Sequence, residues 1–221
     1  MKGLNAGCLR TVLIVGLTVV PLCGGTARGE DGAIENSTAF ALDSTDLWQP
    51  STGFSGSAQT FTVAPAGVLG FVAFGGREAH DLGLLSVSYG HMLGGVGGAG
   101  RWYHGNWELR AELFGGAQVS GEPEWLVGLT PHLRYNFVSG TSFIPFVDAG
   151  AGVSATSIGP PDLSGTFEFN IQAGVGTHYL LSKTLALTLE ARVLHMSCAG
   201  IHKPNQGING LMGVLGVTCV F

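Results

Sequence analysis

From about residue 60 the chain alternates between apolar and polar or small residues, and the alternation keeps one parity for most of its length. Odd positions carry the apolar set: Trp107, Leu109, Ala111 and Leu113; Trp125, Val127, Leu129, Leu133, Tyr135 and Phe137; Phe143, Val147, Ala149 and Val153; Phe167, Phe169, Ile171, Val175 and Tyr179. Even positions carry Glu108, Arg110, Glu112, Thr130, His132, Arg134, Asn136, Asp148, Glu168, Asn170, Gln172, Glu190 and Arg192, with Gly150, Gly152, Gly174 and Gly176 among them. Successive side chains of a strand point to opposite faces, so a period of two predicts strands. The pattern predicts them at 60–76, 82–93, 105–118, 124–138, 142–156, 166–181, 184–198 and 209–221, the first two with poor alternation.

A soluble sandwich also alternates, with its apolar faces turned inward. Here the opposite face carries charge in most strands and glycine where strands pack closely. A narrow barrel with lipid outside and a polar, filled interior accounts for both. The expected fold is therefore all-β, an eight-stranded antiparallel transmembrane β-barrel over residues 59–221. Aromatic residues near strand ends and the terminal Phe221 suit interfacial girdles. With both ends of the barrel in the periplasm, 138–141 and 182–183 become periplasmic turns, and 157–165 and 199–208 outer loops. The Gly-rich segment 94–104 becomes a periplasmic turn, longer than such turns usually are. Inside, Glu108, Glu112, Asp148, Glu168 and Glu190 face Arg110, Arg134 and Arg192, which reads as lumen filling by ion pairs rather than a conduit.

The 221 residues suit one domain; charged residues make up only 11%, glycine numbers 37, and mean hydropathy is positive. After the N-terminal segment no run reaches ~18 uninterrupted apolar residues, which argues against a helical membrane protein. A net charge of -5 and the lack of a basic stripe argue against nucleic acid. Residues 1–27 read as a signal peptide: Lys2 and Arg10 form the basic end, 11–22 the apolar run, and Gly25 and Ala27 the small-residue cleavage site. An uncleaved anchor and lipidation at Cys23 are the alternatives, and Leu22 is a poor residue before a lipidated cysteine. Residues 28–58, rich in Ser, Thr and Gly, read as an irregular lead-in. Cys8 and Cys23 leave with the signal; Cys198 and Cys219 fall near opposite strand ends, ~20 Å or more apart and too far for a disulfide.

The chemistry lies at the end of the seventh strand. His195 and Ser197 are two residues apart and share the apolar face of Leu185, Leu187, Leu189, Ala191 and Val193. Rising from Thr184, Ser197 stands roughly 33 Å up a tilted strand, above an apolar band only ~25 Å tall. This is the level at which headgroups meet acyl chains. Asn209 shares the parity of Phe221 and begins the next strand, so His195, Ser197 and Asn209 converge on one outward patch. A serine needs a base, and the base needs an acceptor to hold its other ring nitrogen. By itself a His-x-Ser pair is more often a pair of interfacial polar residues. His202 and Lys203 of the outer loop could meet a phosphate or simply be solvated.

From about residue 142 onward the chain resembles the lipid A 3-O-deacylases, the PagL family of outer-membrane barrels. The resemblance rests on Pro145-Phe-Val-Asp-Ala-Gly-Ala-Gly152, Phe167-Glu-Phe169, Gly174-Val-Gly176, Glu190-Ala-Arg192, His195-x-Ser197, Ala199-Gly200, Pro204-Asn205 and Gly207. It implies a serine esterase that releases the ester-linked 3-O-acyl chain of lipid A, with lipopolysaccharide in the outer leaflet as its partner. His195 matches the base and Ser197 the nucleophile. Gly200 and Asn205 match the oxyanion region, where donors meet developing charge. The sequence departs from the family at two positions: Cys198 replaces an asparagine after the serine, and Asn209 replaces the glutamate of the triad. An amide can orient an imidazole but cannot offset the charge of an imidazolium. The location implied is the outer membrane of a Gram-negative-type bacterium, after export, with no metal or cofactor and with a homo-oligomer left open. The competing expectations are a catalytically weak or silent barrel with a structural or surface role, and a soluble secreted β-domain.

Overall fold

A computed structural model describes residues 56–73, 78–138 and 140–221. The expected signal peptide, 1–27, and all but the last three residues of the lead-in expected at 28–58 lie outside the described residues. Eight strands follow one another: β1 (Gln59–Gly70), β2 (Leu82–Met92), β3 (Gly105–Gln118), β4 (Trp125–Phe137), β5 (Phe143–Thr156), β6 (Phe167–Leu180), β7 (Leu185–Ser197) and β8 (Ile208–Val220). Each pairs antiparallel with its sequence neighbour, and β8 pairs with β1 to close the barrel.

Strand limits agree with the alternation to within a residue or two, except in β1. That strand ends at Gly70 rather than near residue 76. The Gly70 N–H donates to the Asp81 carboxylate (2.9 Å), and the next N–H, of Phe71, donates to the Asn209 carbonyl (3.0 Å). The 70–76 run holds no polar residue, so its period two had already failed.

Odd positions face outward and leave a continuous apolar band exposed, including Leu113 (50%), Val175 (59%) and Leu189 (59%). A soluble monomer does not expose such a surface; a lipid-facing wall must. Aromatic pairs stand at both rims: Trp107 with Tyr135 and Phe143 with Tyr179 at the periplasmic end, and Phe167 with Phe169 at the outer end.

The lumen is filled as expected but layered, and the polar interior read from parity holds only for part of its height. Only the middle is ionic. Arg192 meets Glu112 and Glu190 (both 2.5 Å), Arg134 meets Asp148 and Glu190 (both 3.0 Å), and Arg110 meets Asp148 (3.1 Å). Glu108 instead bonds Thr60 and Asn136, and Glu168 bonds an outer loop. The outer half is an apolar plug of Leu84, Phe114, Leu126, Leu194, Met196 and Met212 beneath Ile158 and Leu163 of the loop after β5. A smaller cluster, including Met92, Ile144 and Leu180, closes the periplasmic end. The inward glycines make room for this filling: Gly174 lies under the Arg192 side chain and Gly176 under the Phe146 ring.

Cys198 and Cys219 form no disulfide with each other. Cys219 pairs with Leu185 at the start of β7 while Cys198 follows its end, a span of roughly 40 Å at strand rise.

Candidate active site

β7 presents His195 and Ser197 on the outward parity, half-buried, and β8 presents Asn209 directly opposite His195 in the ladder. The structure therefore brings three of the expected site residues together. His195 Nε2 lies 3.1 Å from Ser197 Oγ, and His195 Nδ1 lies 2.8 Å from Asn209 Oδ1. The ladder places Ile171 and Phe169 of β6 beside His195 and Ser197, so the flank of the pair is apolar.

The orientation of Asn209 fixes the proton. Its Nδ2 donates to the Ala73 carbonyl (3.0 Å), which leaves Oδ1 facing His195 as an acceptor. His195 Nδ1 must then carry the hydrogen, and Nε2 presents its lone pair to the serine hydroxyl. This is the tautomer a general base needs. The chain leaving β1 supplies that lock, and it covers Asn209 to 7% exposure. The lock is absent from the sequence reading because 60–76 reads there as one strand.

Gly207 is a second residue that sequence reasoning did not place at the site. Its φ is 76°, and a Cβ there would come within 3.0 Å of His195 Cε1 and 3.5 Å of Ser197 Cβ. Only glycine lets the backbone pass so close in this conformation. Its N–H and that of Gln206 both donate to the Asp162 carbonyl (2.9 and 3.0 Å), which ties the loop after β7 to the loop after β5.

Gly200 and Asn205 belong to that same loop. The Asn205 amide donates to Ser164 Oγ (3.2 Å) and to both Glu168 oxygens (3.2 and 3.0 Å), and its Oδ1 accepts from the Cys198 N–H (3.4 Å). Its amide hydrogens are thus directed at buried Glu168 and not at Ser197. Gly200, with φ 79°, turns the chain just after Cys198. The Cys198 thiol is held below its usual pKa by the Ser164 side chain first, then by backbone N–H groups of His202 and Gly200. Ser164, Thr166, Phe167, Cys198, Ile201 and His202 line a cavity of about 380 Å³. Another, of about 480 Å³, opens along the lipid-facing wall beside Leu211, the outward residue next after Asn209, with Gly67, Leu69, Ala191 and Gly213 around it. Among the described residues no cluster of His, Cys, Asp or Glu is arranged to hold a metal ion.

A closed eight-stranded barrel with a lipid-facing band, two aromatic rims and a hydrogen-bonded Ser–His–Asn line on its outer wall defines a transmembrane barrel of the outer-membrane class. The chain belongs to the family described as Lipid A 3-O-deacylase (PagL), which matches residues 85–218. That match begins in β2, well ahead of residue 142, where the sequence motifs first suggest it. Among characterised relatives, the lipid A deacylase PagL of Pseudomonas aeruginosa is 31% identical over 97 residues, 42% of this chain and 52% of that protein, so the chain spans about half the length of the relative it matches. The crystal structure of the outer membrane enzyme PagL superposes with a TM-score of 0.56 at 20% identity, covering 70% of this chain and 97% of that one. The fold is that of an outer-membrane barrel, and the protein resides in the outer membrane.

Proposed function

We propose that this protein is a serine esterase that removes the ester-linked 3-O-acyl chain of lipid A. The observation that supports this reading is the hydrogen-bonded line from Asn209 through His195 to Ser197 on the lipid-facing wall at the outer end of β7. Family membership supplies the substrate class. In this reading Ser197 Oγ attacks the ester carbonyl carbon and His195 Nε2 takes its proton. The imidazolium is held through Nδ1–H by Asn209 Oδ1. Collapse of the tetrahedral species breaks the bond to the sugar oxygen and leaves the acyl chain on Ser197, and His195 returns its proton to that oxygen, which departs as a hydroxyl. Water, deprotonated by the same His195, then releases the fatty acid. Gly200 and Asn205 serve the oxyanion region by shaping the loop that follows the nucleophile, where Asn205 Oδ1 accepts from the Cys198 N–H (3.4 Å). The apolar cavity beside Leu211 suits the acyl chain of a lipid approaching from the membrane plane.

A second reading, a weak or silent barrel, draws on one observation: the residue that holds His195 is an uncharged amide. Lipopolysaccharide in mixed micelles distinguishes the two. Active protein releases 3-hydroxy fatty acid, detected by mass spectrometry, and Ser197→Ala or His195→Ala abolishes release while the barrel keeps its heat-modifiable gel mobility. Full activity in either variant would remove the proposed site, and a wild-type protein without release would favour the silent barrel.

A further inference from the structure

The turn between β2 and β3 is longer than a barrel needs at its periplasmic end, and its two halves do different things. Val96 of the first half packs on the apolar cluster that closes the lumen. The second half leans the other way. Tyr135 stands on the lipid-facing parity of β4, and its hydroxyl donates to the Tyr103 carbonyl, which holds the turn against the outside of the wall. A Gly97–Gly105 bridge and a Val138 N–H bond to the His104 carbonyl (2.8 Å) fasten the same half. So placed, Trp102 is 85% exposed and Tyr103 44%, their rings edge to face at 5.5 Å, with Arg101 exposed beside them.

Two large aromatic side chains gain nothing from water, and the described part of the protein leaves Trp102 almost bare and Tyr103 nearly half exposed. They continue the periplasmic aromatic rim, where Tyr135 contacts both Trp107 (4.8 Å) and Phe137 (5.0 Å). That rim marks the level of the lipid headgroups, the level at which Trp and Tyr rings settle with their polar edges toward water. A guanidinium at that level forms paired hydrogen bonds to phosphate oxygens. We propose that the β2–β3 turn is a lateral membrane anchor: Trp102 and Tyr103 seat among the phospholipid headgroups of the periplasmic leaflet, and Arg101 binds their phosphates.

Tryptophan fluorescence tests this in the full chain, folded into phosphatidylcholine and phosphatidylglycerol vesicles. The contribution of Trp102 is the difference between wild type and Trp102→Phe, a conservative change whose fold is checked by heat-modifiable mobility. Expected is a loss of that contribution when the lipids are brominated close to the headgroup, with protection from iodide in the water. Arg101→Glu, which sets like charge against the phosphates, should weaken the quenching by lipid. A Trp102 contribution untouched by brominated lipid and quenched by iodide would overturn the proposal and point to a turn projecting into the periplasm to meet a protein or the cell wall. Unchanged lipid quenching in Arg101→Glu would overturn the phosphate contact.

Discussion

Replacing Asn209 by aspartate separates the two things a triad acid does, because here one is already done. In a serine protease the change from acid to amide costs about 10⁴ in rate, about 5 kcal/mol, largely by selecting the wrong tautomer. In this barrel the Asn209–Ala73 bond has selected the right one. What the amide lacks is charge. A carboxylate on the Asn209 frame, with its oxygen 2.8 Å from His195 Nδ1, puts the charge centres ~4 Å apart, worth about 4 kcal/mol toward an imidazolium at an effective dielectric near 20. Against this, Asn209→Asp loses the N–H bond to Ala73, about 1 kcal/mol, and sets a carboxylate oxygen against a carbonyl oxygen, about as much again. The balance is about 2 kcal/mol, a gain of ~30-fold in kcat and well short of 10⁴. Asn209→Ala, with no acceptor, should lose about 10²-fold or more. The assay is release of 3-hydroxy fatty acid from lipopolysaccharide across pH. Unchanged rates in both variants would refute the argument, since neither charge nor orientation at residue 209 would then matter.

Gly207→Ala should lower activity by at least tenfold and cost about 1 kcal/mol of stability, since the new methyl meets His195 and the positive φ penalises any side chain; normal turnover would mean that the loop is not packed on the relay as described. Arg192→Ala should destabilise the barrel by about 3 kcal/mol, because it removes the cation shared by Glu112 and Glu190 and leaves Glu190 with Arg134 alone and Glu112 with Arg110 and His132. Urea unfolding in detergent micelles measures it, and a loss under 1 kcal/mol would show that the lumen is wetter than its packing implies.

Most of the barrel is legible from parity alone, because one wall faces lipid and the other faces the ionic middle of the lumen. Glu112, Arg134, Glu190 and Arg192 sit where alternation places them. The outer plug was hidden from the same argument: Leu84, Leu194 and Met212 are apolar on the inward face, so their strands look apolar on both sides. At the site, strand spacing suffices to join His195 with Ser197, and shared parity brings in Asn209. Ala73 and Gly207 are contributed by backbone in irregular segments, a carbonyl in one case and an α-carbon in the other, and no side-chain pattern encodes either. Asn205 shows the reverse: its identity matches a family motif, yet its hydrogen bonds run to Glu168 and reveal an anchor that spacing could not distinguish from a donor to the reaction.

Every strand pair but one joins neighbours in sequence; β1 with β8 is the exception, and closing it carries the greatest loss of chain entropy. The amide that sets the imidazole tautomer is locked across that same seam, to Ala73 just beyond β1. A chain with seven seams formed would already hold His195 beside Ser197 but would lack the grip that aims the ring. The topology thus ties the proposed centre to barrel closure: a chain with the β1–β8 seam open would lack the Asn209–Ala73 bond that aims the His195 ring.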